Sequence, residues 1–268
     1  AEVDALLPGD GSLQARADAF KRQFAISNEK IQAVMNAAIA ECRRRTVEHY
    51  DLPPSEKFSM HLVNDKPWSG YNWYQGDYKS IIEINVDFPI DIDRAVVLGC
   101  HEGYPGHHVW NLFVDRDFLR KEGWIEYSLY PLFSPQPMIG EGSANYGVDL
   151  AFPNEDRIAF ERDVLMPLAG VDPALADKLG RFREITAKLS HAENFIARDY
   201  IDGVIDRDAA VALLMKYTLQ TREKSVQRVD FFDNYRGYVI NYTLGQDLVC
   251  LLYTSPSPRD RTRSRMPS

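Results

Sequence analysis

Apolar positions divide the chain into a helical texture and one short interval of strand texture. From Ser27, Ile31, Val34, Met35, Ala38 and Cys42 fall on one face at three-to-four spacing, which predicts an amphipathic helix capped by Ser27 and ended by Pro53-Pro54. Between Phe58 and Val86 the spacing shortens to two: Met60-His61-Leu62-Val63, then Trp68, Tyr71, Trp73, Tyr74 and Tyr78, then Ile82 and Ile84 alternating with Glu83 and Asn85. Short strands of a small antiparallel sheet are expected there. The Trp68–Tyr78 aromatics suit a sheet face packed on helices, with a substrate groove as the alternative.

Asp91 is placed to cap the next helix, which carries Ala95-Val96-Val97-Leu98 into the segment His101–His108. Pro137 suits the first turn of a helix that stops at Pro153, and Phe182, Ile185, Leu189, Ile196 and Tyr200 predict one long helix closed near Gly203. Asp206 or Asp208 begins another through Ala210, Leu213, Leu214 and Tyr217, and an aromatic-rich segment runs from Phe231 to Val249. No internal repeat interrupts this order. The expected class is mainly α (α+β): a helical domain with a small antiparallel sheet beside the histidine-bearing helix.

The texture is lost from Cys250 to Ser268, which resembles a translated sequencing-library adapter more than a folding segment. Residues 1–249 are therefore expected to form a single domain, truncated at both ends, and 250–268 a non-native tail. The tail's arginines less Asp260 carry +3 of a net charge of -8, leaving the body near -11. Such acidity argues against a nucleic-acid partner, which needs clustered Lys and Arg. No apolar run is long enough to span a bilayer. Cys42, Cys100 and Cys250 show no paired spacing, so no disulfide framework is expected. No charged-then-apolar leader follows Ala1; a signal peptide is absent or removed, and the compartment stays open.

The segment His101-Glu102-Gly-Tyr-Pro105-Gly106-His107-His108 holds three of the six histidines beside a carboxylate. Zinc sites on helices place ligands at i and i+4, with the Glu after the first histidine acting on water. Here i+4 is Pro105. On an unbroken helix His107 would lie about 9 Å along the axis and on the wrong side. A bulge at Pro105-Gly106 would return it to the i+4 place, because Pro breaks the hydrogen-bond ladder and Gly tolerates unusual backbone angles. His108 is the competing second ligand. Glu141, flanked by small residues on the Pro137 helix, is the expected third ligand. Asp149, two turns on, is a candidate to hold a histidine ring. One zinc per chain is expected, with Glu102 as general base and acid. Ile82-Glu83-Ile84 is a candidate edge for an extended peptide, with an ordinary internal strand as the alternative. His49, His61 and His191 read as ordinary polar residues.

These residues resemble the domain-of-unknown-function family 885, grouped with gluzincin-like zinc metallopeptidases. His101–His108 matches its H-E-x-x-P-G-H-H motif, and Glu141-Gly-Ser-Ala-Asn-Tyr146 its E-G-W-A-x-Y motif except for Ser143 in place of Trp. Arg228 and Tyr238–Gly245 are similar to a third, looser segment. The resemblance implies a largely helical fold, a single zinc and hydrolysis of peptides, with Tyr242 or Tyr238 donating to the oxyanion. Hydrolysis of a non-peptide amide and a non-catalytic metal- or partner-binding module remain the alternatives.

Overall fold

The computed structural model describes residues 1–254. It is mainly helical, with 65% helix and 9% strand. Three helices come first, α1 (Glu2–Leu6), α2 (Leu13–Arg22) and α3 (Asn28–Val47). The predicted face of α3 is its buried face: Ile31, Val34, Met35, Ala38 and Cys42 are all within 2% of complete burial. The sheet follows as β1 (Lys57–Val63), β2 (Gly70–Gly76) and β3 (Lys79–Asn85). Asp91 caps α4 (Ile92–Leu98), its carboxylate accepting from the Arg94 amide at 2.8 Å. Then come α5 (His107–Phe113), α6 (Gln136–Ala151), α7 (Asn154–Phe160), α8 (Met166–Ala169), α9 (Ala176–Ala187), α10 (Ala192–Ile201), α11 (Arg207–Thr218), α12 (Arg222–Tyr235) and α13 (Thr243–Thr254).

The sheet is mixed rather than antiparallel. Its order is β1-β3-β2, with β1 parallel and β2 antiparallel to β3. Alternating burial, with Ile82 and Ile84 inward, was legible in the sequence; strand direction was not, because the same period serves both directions. The tight β2–β3 turn fixes one pairing and leaves β1 the far side of β3. The Ile82–Ile84 strand is thus central, with a neighbour on each side, and offers no free edge to a peptide.

The single helix expected through Phe182 and Tyr200 is two. Leu189 is 39% exposed, so nothing apolar holds the middle of the segment, and the amides of Leu189 and Ser190 close short turns onto Thr186 and Ala187. Asp206, not Asp208, caps α11. At the far end α13 continues through Thr254; Leu251 and Leu252 project from it, 57% and 69% exposed. The rest of the tail, 255–268, lies outside the described residues.

Contrary to the expectation from spacing, Cys42 and Cys100 form a disulfide, their Cα atoms 5.5 Å apart. The cause is packing: α3 lies against the turn after α4 so closely that a Cβ on Gly99 would meet the Ile39 amide nitrogen at 3.3 Å and the Ala38 side chain at 3.4 Å. Sequence separation hides a contact made only in the folded chain.

Two apolar clusters organise the molecule. The larger joins α1–α9 and the sheet, and the smaller holds Ile196, Ala210, Leu214, Val229, Phe232 and Val239 from the C-terminal helices. Helices α6 and α13 connect them where Gly142 crosses Gly245. A Cβ on Gly142 would lie 2.3 Å from the Gly245 carbonyl, and one on Gly245 would lie 2.3 Å from the Met138 carbonyl. Among the described residues no helix is long and apolar enough to cross a membrane.

Candidate metal centre

Helix α4 widens into a π turn, Gly99–Gly103, and stops. The Tyr104–Pro105 peptide is cis, the Gly106 amide returns to the Cys100 carbonyl at 3.0 Å, and His107 opens α5. The expected bulge within one helix is therefore a junction between two. Gly106 is required there by close approach: a Cβ would sit 1.9 Å from the His101 carbonyl oxygen. Its effect is the expected one, since the His101 and His107 rings meet edge-to-face with centroids 4.6 Å apart.

Glu141, one turn into α6, completes the group. Its Oε2 lies 3.2 Å from His101 Nε2 and its Oε1 lies 3.4 Å from His107 Nε2. The three ligand atoms fall within 4.8 Å of one another. Donors about 2.0–2.1 Å from a tetrahedral zinc lie roughly 3.3–3.4 Å apart, and the two imidazole–carboxylate distances, each to a different oxygen of Glu141, match that.

The hydrogen bonds around the group point the same way. Asn145 Nδ2 donates to the Tyr242 carbonyl at 2.7 Å, which fixes the amide so that its Oδ1 accepts from His101 Nδ1 at 2.9 Å. His101 Nε2 is then the ring nitrogen that faces Glu141. Glu141 Oε2 is buried without a hydrogen bond, a costly state unless a cation completes it. The other oxygen accepts from the Tyr238 hydroxyl at 2.6 Å. Burial works against the Glu141 charge, but His107 and His101 outweigh it and hold the carboxyl well below its ordinary range. Burial likewise opposes the His107 cation, and Glu141, then Glu102, raise the ring to about 9.

His108 is excluded from the group. It points to the opposite side, fully buried, with Nδ1 2.8 Å from the Ser80 hydroxyl and Nε2 3.1 Å from Glu56. Asp149 does not hold a histidine; it accepts from Gln246, and Asn145 takes the expected role. Asn145 follows Glu141 by four residues and so shares its helix face, a signal that the search for carboxylates passed over. Glu56 was also missed, standing alone between Pro54 and the first strand.

Glu102, 5% exposed, faces the same cavity as the ligand group, and Asn72 on β2 donates to its carbonyl at 2.7 Å. The cavity holds about 910 Å³ and runs between the two apolar clusters. Trp68, Tyr71, Trp73 and Tyr74 line it, which gives the aromatic run a groove wall, while Tyr74 also ties the sheet to the helical segment after α5, its hydroxyl donating to Asp115 at 2.7 Å. Tyr238 and Tyr242 close the opposite wall. The Tyr238 hydroxyl is committed to Glu141. The Tyr242 ring lies over His101 at 6.4 Å and 26°, and burial, then Glu141, raise its phenol. No hydrogen bond engages the Tyr242 hydroxyl among the described residues. Arg228 pairs with Glu193 and covers the rings of Phe231 and Tyr242.

No family profile matches the chain, and no curated protein does. Among solved structures it is similar to a candidate lipoprotein from Colwellia psychrerythraea, at a TM-score of 0.69 and 17% identity. That alignment covers 98% of this chain and 43% of the other, so the chain spans less than half the length of the protein it matches. At this identity the two share a fold.

Proposed function

We propose that the chain is a zinc-dependent metallopeptidase of the kind family 885 resembles, with His101, His107 and Glu141 holding one zinc. The observation that carries this reading is the convergence of two imidazole Nε2 atoms on a buried carboxylate whose Oε2 has no hydrogen bond. A zinc held there would supply Lewis acidity, polarising a scissile carbonyl and activating water near neutral pH. Glu102, which faces the same cavity, would accept a proton from that water and return it to the leaving amine. Tyr242, whose hydroxyl is uncommitted, donates to the carbonyl oxygen as negative charge develops, while Tyr238 and Asn145 fix Glu141 and His101. The β2 aromatics give an extended chain a surface to lie on. The Cys42–Cys100 bridge favours an oxidising compartment outside the cytoplasm.

The test is a zinc-loaded protein and its Glu102→Gln variant on a quenched peptide library. The expected result is about one zinc per chain in both, with cleavage by the parent and a loss of about 10³-fold or more in the variant. Full zinc without cleavage of peptides or small amides would instead favour a metal-binding module.

A further inference from the structure

Among the described residues, nothing bonds to the Glu102 carboxylate: no hydrogen bond reaches it and no cation pairs with it, and Arg94 and His107 act on its charge from farther away. Yet Glu102 is buried, on the wall of the main cavity. The buried carboxylates of Glu56, Glu141 and Glu161 each accept from at least one donor. A group that must take up a proton keeps its oxygens free, so it has to be held by shape instead.

Gly70, the first residue of β2, supplies that shape. A Cβ there would lie 2.9 Å from Glu102 Oε1, 3.2 Å from Glu102 Cγ and 2.8 Å from Leu98 Cδ2. Real Cβ contacts essentially never fall below 3.0 Å, so the carboxylate stands in the space that any side chain at this position would need. Backbone angles do not explain the glycine. Its φ is negative, as in any strand residue, and glycine weakens a strand.

The wall itself is firm. The Asn85 amide donates to the Ser69 carbonyl at 2.9 Å, and the Asn85 side chain donates to the Lys66 and Trp68 carbonyls at 2.9 and 3.0 Å, so the chain entering β2 is tied to β3 at three points. Asn72, two residues on and therefore on the same face of β2, donates to the Glu102 carbonyl at 2.7 Å. Strand β2 thus grips the main chain of Glu102 by a hydrogen bond and borders its carboxylate with bare backbone.

We infer that Gly70 is a positioning residue for Glu102: the side chain it lacks is the room in which the carboxylate stands, and its backbone fixes that place without engaging either oxygen. The catalytic consequence rests on the peptidase reading; the steric placement does not.

Gly70→Ala is the test. Alanine suits a strand at least as well as glycine, and the atoms its methyl would meet first end flexible side chains, so the fold should stand and the carboxylate should yield. A crystal structure of the zinc-loaded variant should show that carboxylate moved by about 0.5 Å or more, with His101, His107 and Glu141 in place. Zinc content and thermal melting should match the parent. On a peptide that the parent cleaves, kcat should fall about 100-fold, the order of loss expected when a reacting group is misplaced by about an ångström, while KM stays within about three-fold. In the Glu102→Gln background the same methyl should change the residual kcat by less than about two-fold, because the group through which it acts is already gone. A merely structural glycine would lower both backgrounds alike.

An unmoved carboxylate would overturn the inference, as would equal losses in the two backgrounds. So would a melting point lowered by more than about 10 °C, since the fold rather than the carboxylate would then be the part that yields. A moved carboxylate, with a parent that cleaves nothing, leaves the placement standing and removes the peptidase. Equal cleavage by parent and variant removes the positioning role and leaves the peptidase.

Discussion

Glu141 and Glu56 stand at the centres of two pockets built from the same parts. Each carboxylate is buried, each meets a histidine from the same octapeptide, and each accepts from a tyrosine hydroxyl, Tyr238 or Tyr104. The difference lies in what completes them. Glu56 receives the Arg43 guanidinium on one oxygen and Tyr104 with His108 on the other, and Ser80 meets the far side of the ring. Every lone pair there has a partner. Glu141 has no guanidinium, one oxygen without a hydrogen bond, and a second imidazole turned towards it. A saturated pocket holds a fold together; an unsaturated one made of the same residues has the donor set that a metal ion would need.

The sharpest way to break this contrast is to remove each carboxylate in turn. Glu141→Ala should abolish stoichiometric zinc, whereas Glu56→Gln should keep it and lose about 2–3 kcal/mol of stability, because Arg43 then loses its counter-charge. Metal analysis and denaturant melts on both variants decide it; full zinc in Glu141→Ala would exchange the roles proposed for the two pockets. Next comes the junction that separates the two histidines. Gly106→Ala would place a methyl group against the His101 carbonyl, so His107 should leave the site, with loss of zinc and of several kcal/mol of stability. Unchanged zinc affinity in that variant would show that the junction relaxes freely.

Smaller effects refine the comparison. Asn145→Ala leaves the ligands in place but frees the His101 ring, and competition against a zinc chelator should report affinity weakened about 10–100-fold. Acid titration probes the saturated pocket. Burial opposes the Glu56 charge, yet His108, Tyr104 and Arg43 hold its carboxyl down at about 2. A depressed folded value means that its contribution is complete above the ordinary carboxylate range and is lost as pH falls from about 4.5 to 2. Thermal melts across that window should decline less steeply for Glu56→Gln than for the parent.

How much of this was legible follows from what a sequence encodes locally. The buried faces of α3 and β3 are periodic, and the caps at Asp91 and Asp206 sit within four residues of what they bind. His101, His107 and Glu141 were recognisable by ligand type, with Pro105-Gly106 as the mark of a broken helix. What escaped was set by packing between distant segments. Nothing near Cys42 indicates that Cys100 will lie against it, and Glu56 gives no hint of His108, fifty-two residues on. The direction of β1 and the choice of Asn145 over Asp149 likewise depend on which helices and strands become neighbours.

The crossing of α6 and α13 bears on how this protein can change. Because Gly142 touches Gly245 main chain to main chain, the gap between Glu141 and Tyr242 is a dimension of the backbone, with no rotamer to lengthen or shorten it. Sequence drift along the outer face of α13, at half-exposed Leu244 and Leu248, leaves that dimension alone. Substitutions can then accumulate on the cavity wall while the two segments that carry Glu141 and Tyr242 keep a fixed gauge. A side chain at either glycine would shift both segments together, so adaptation has little room for small steps there.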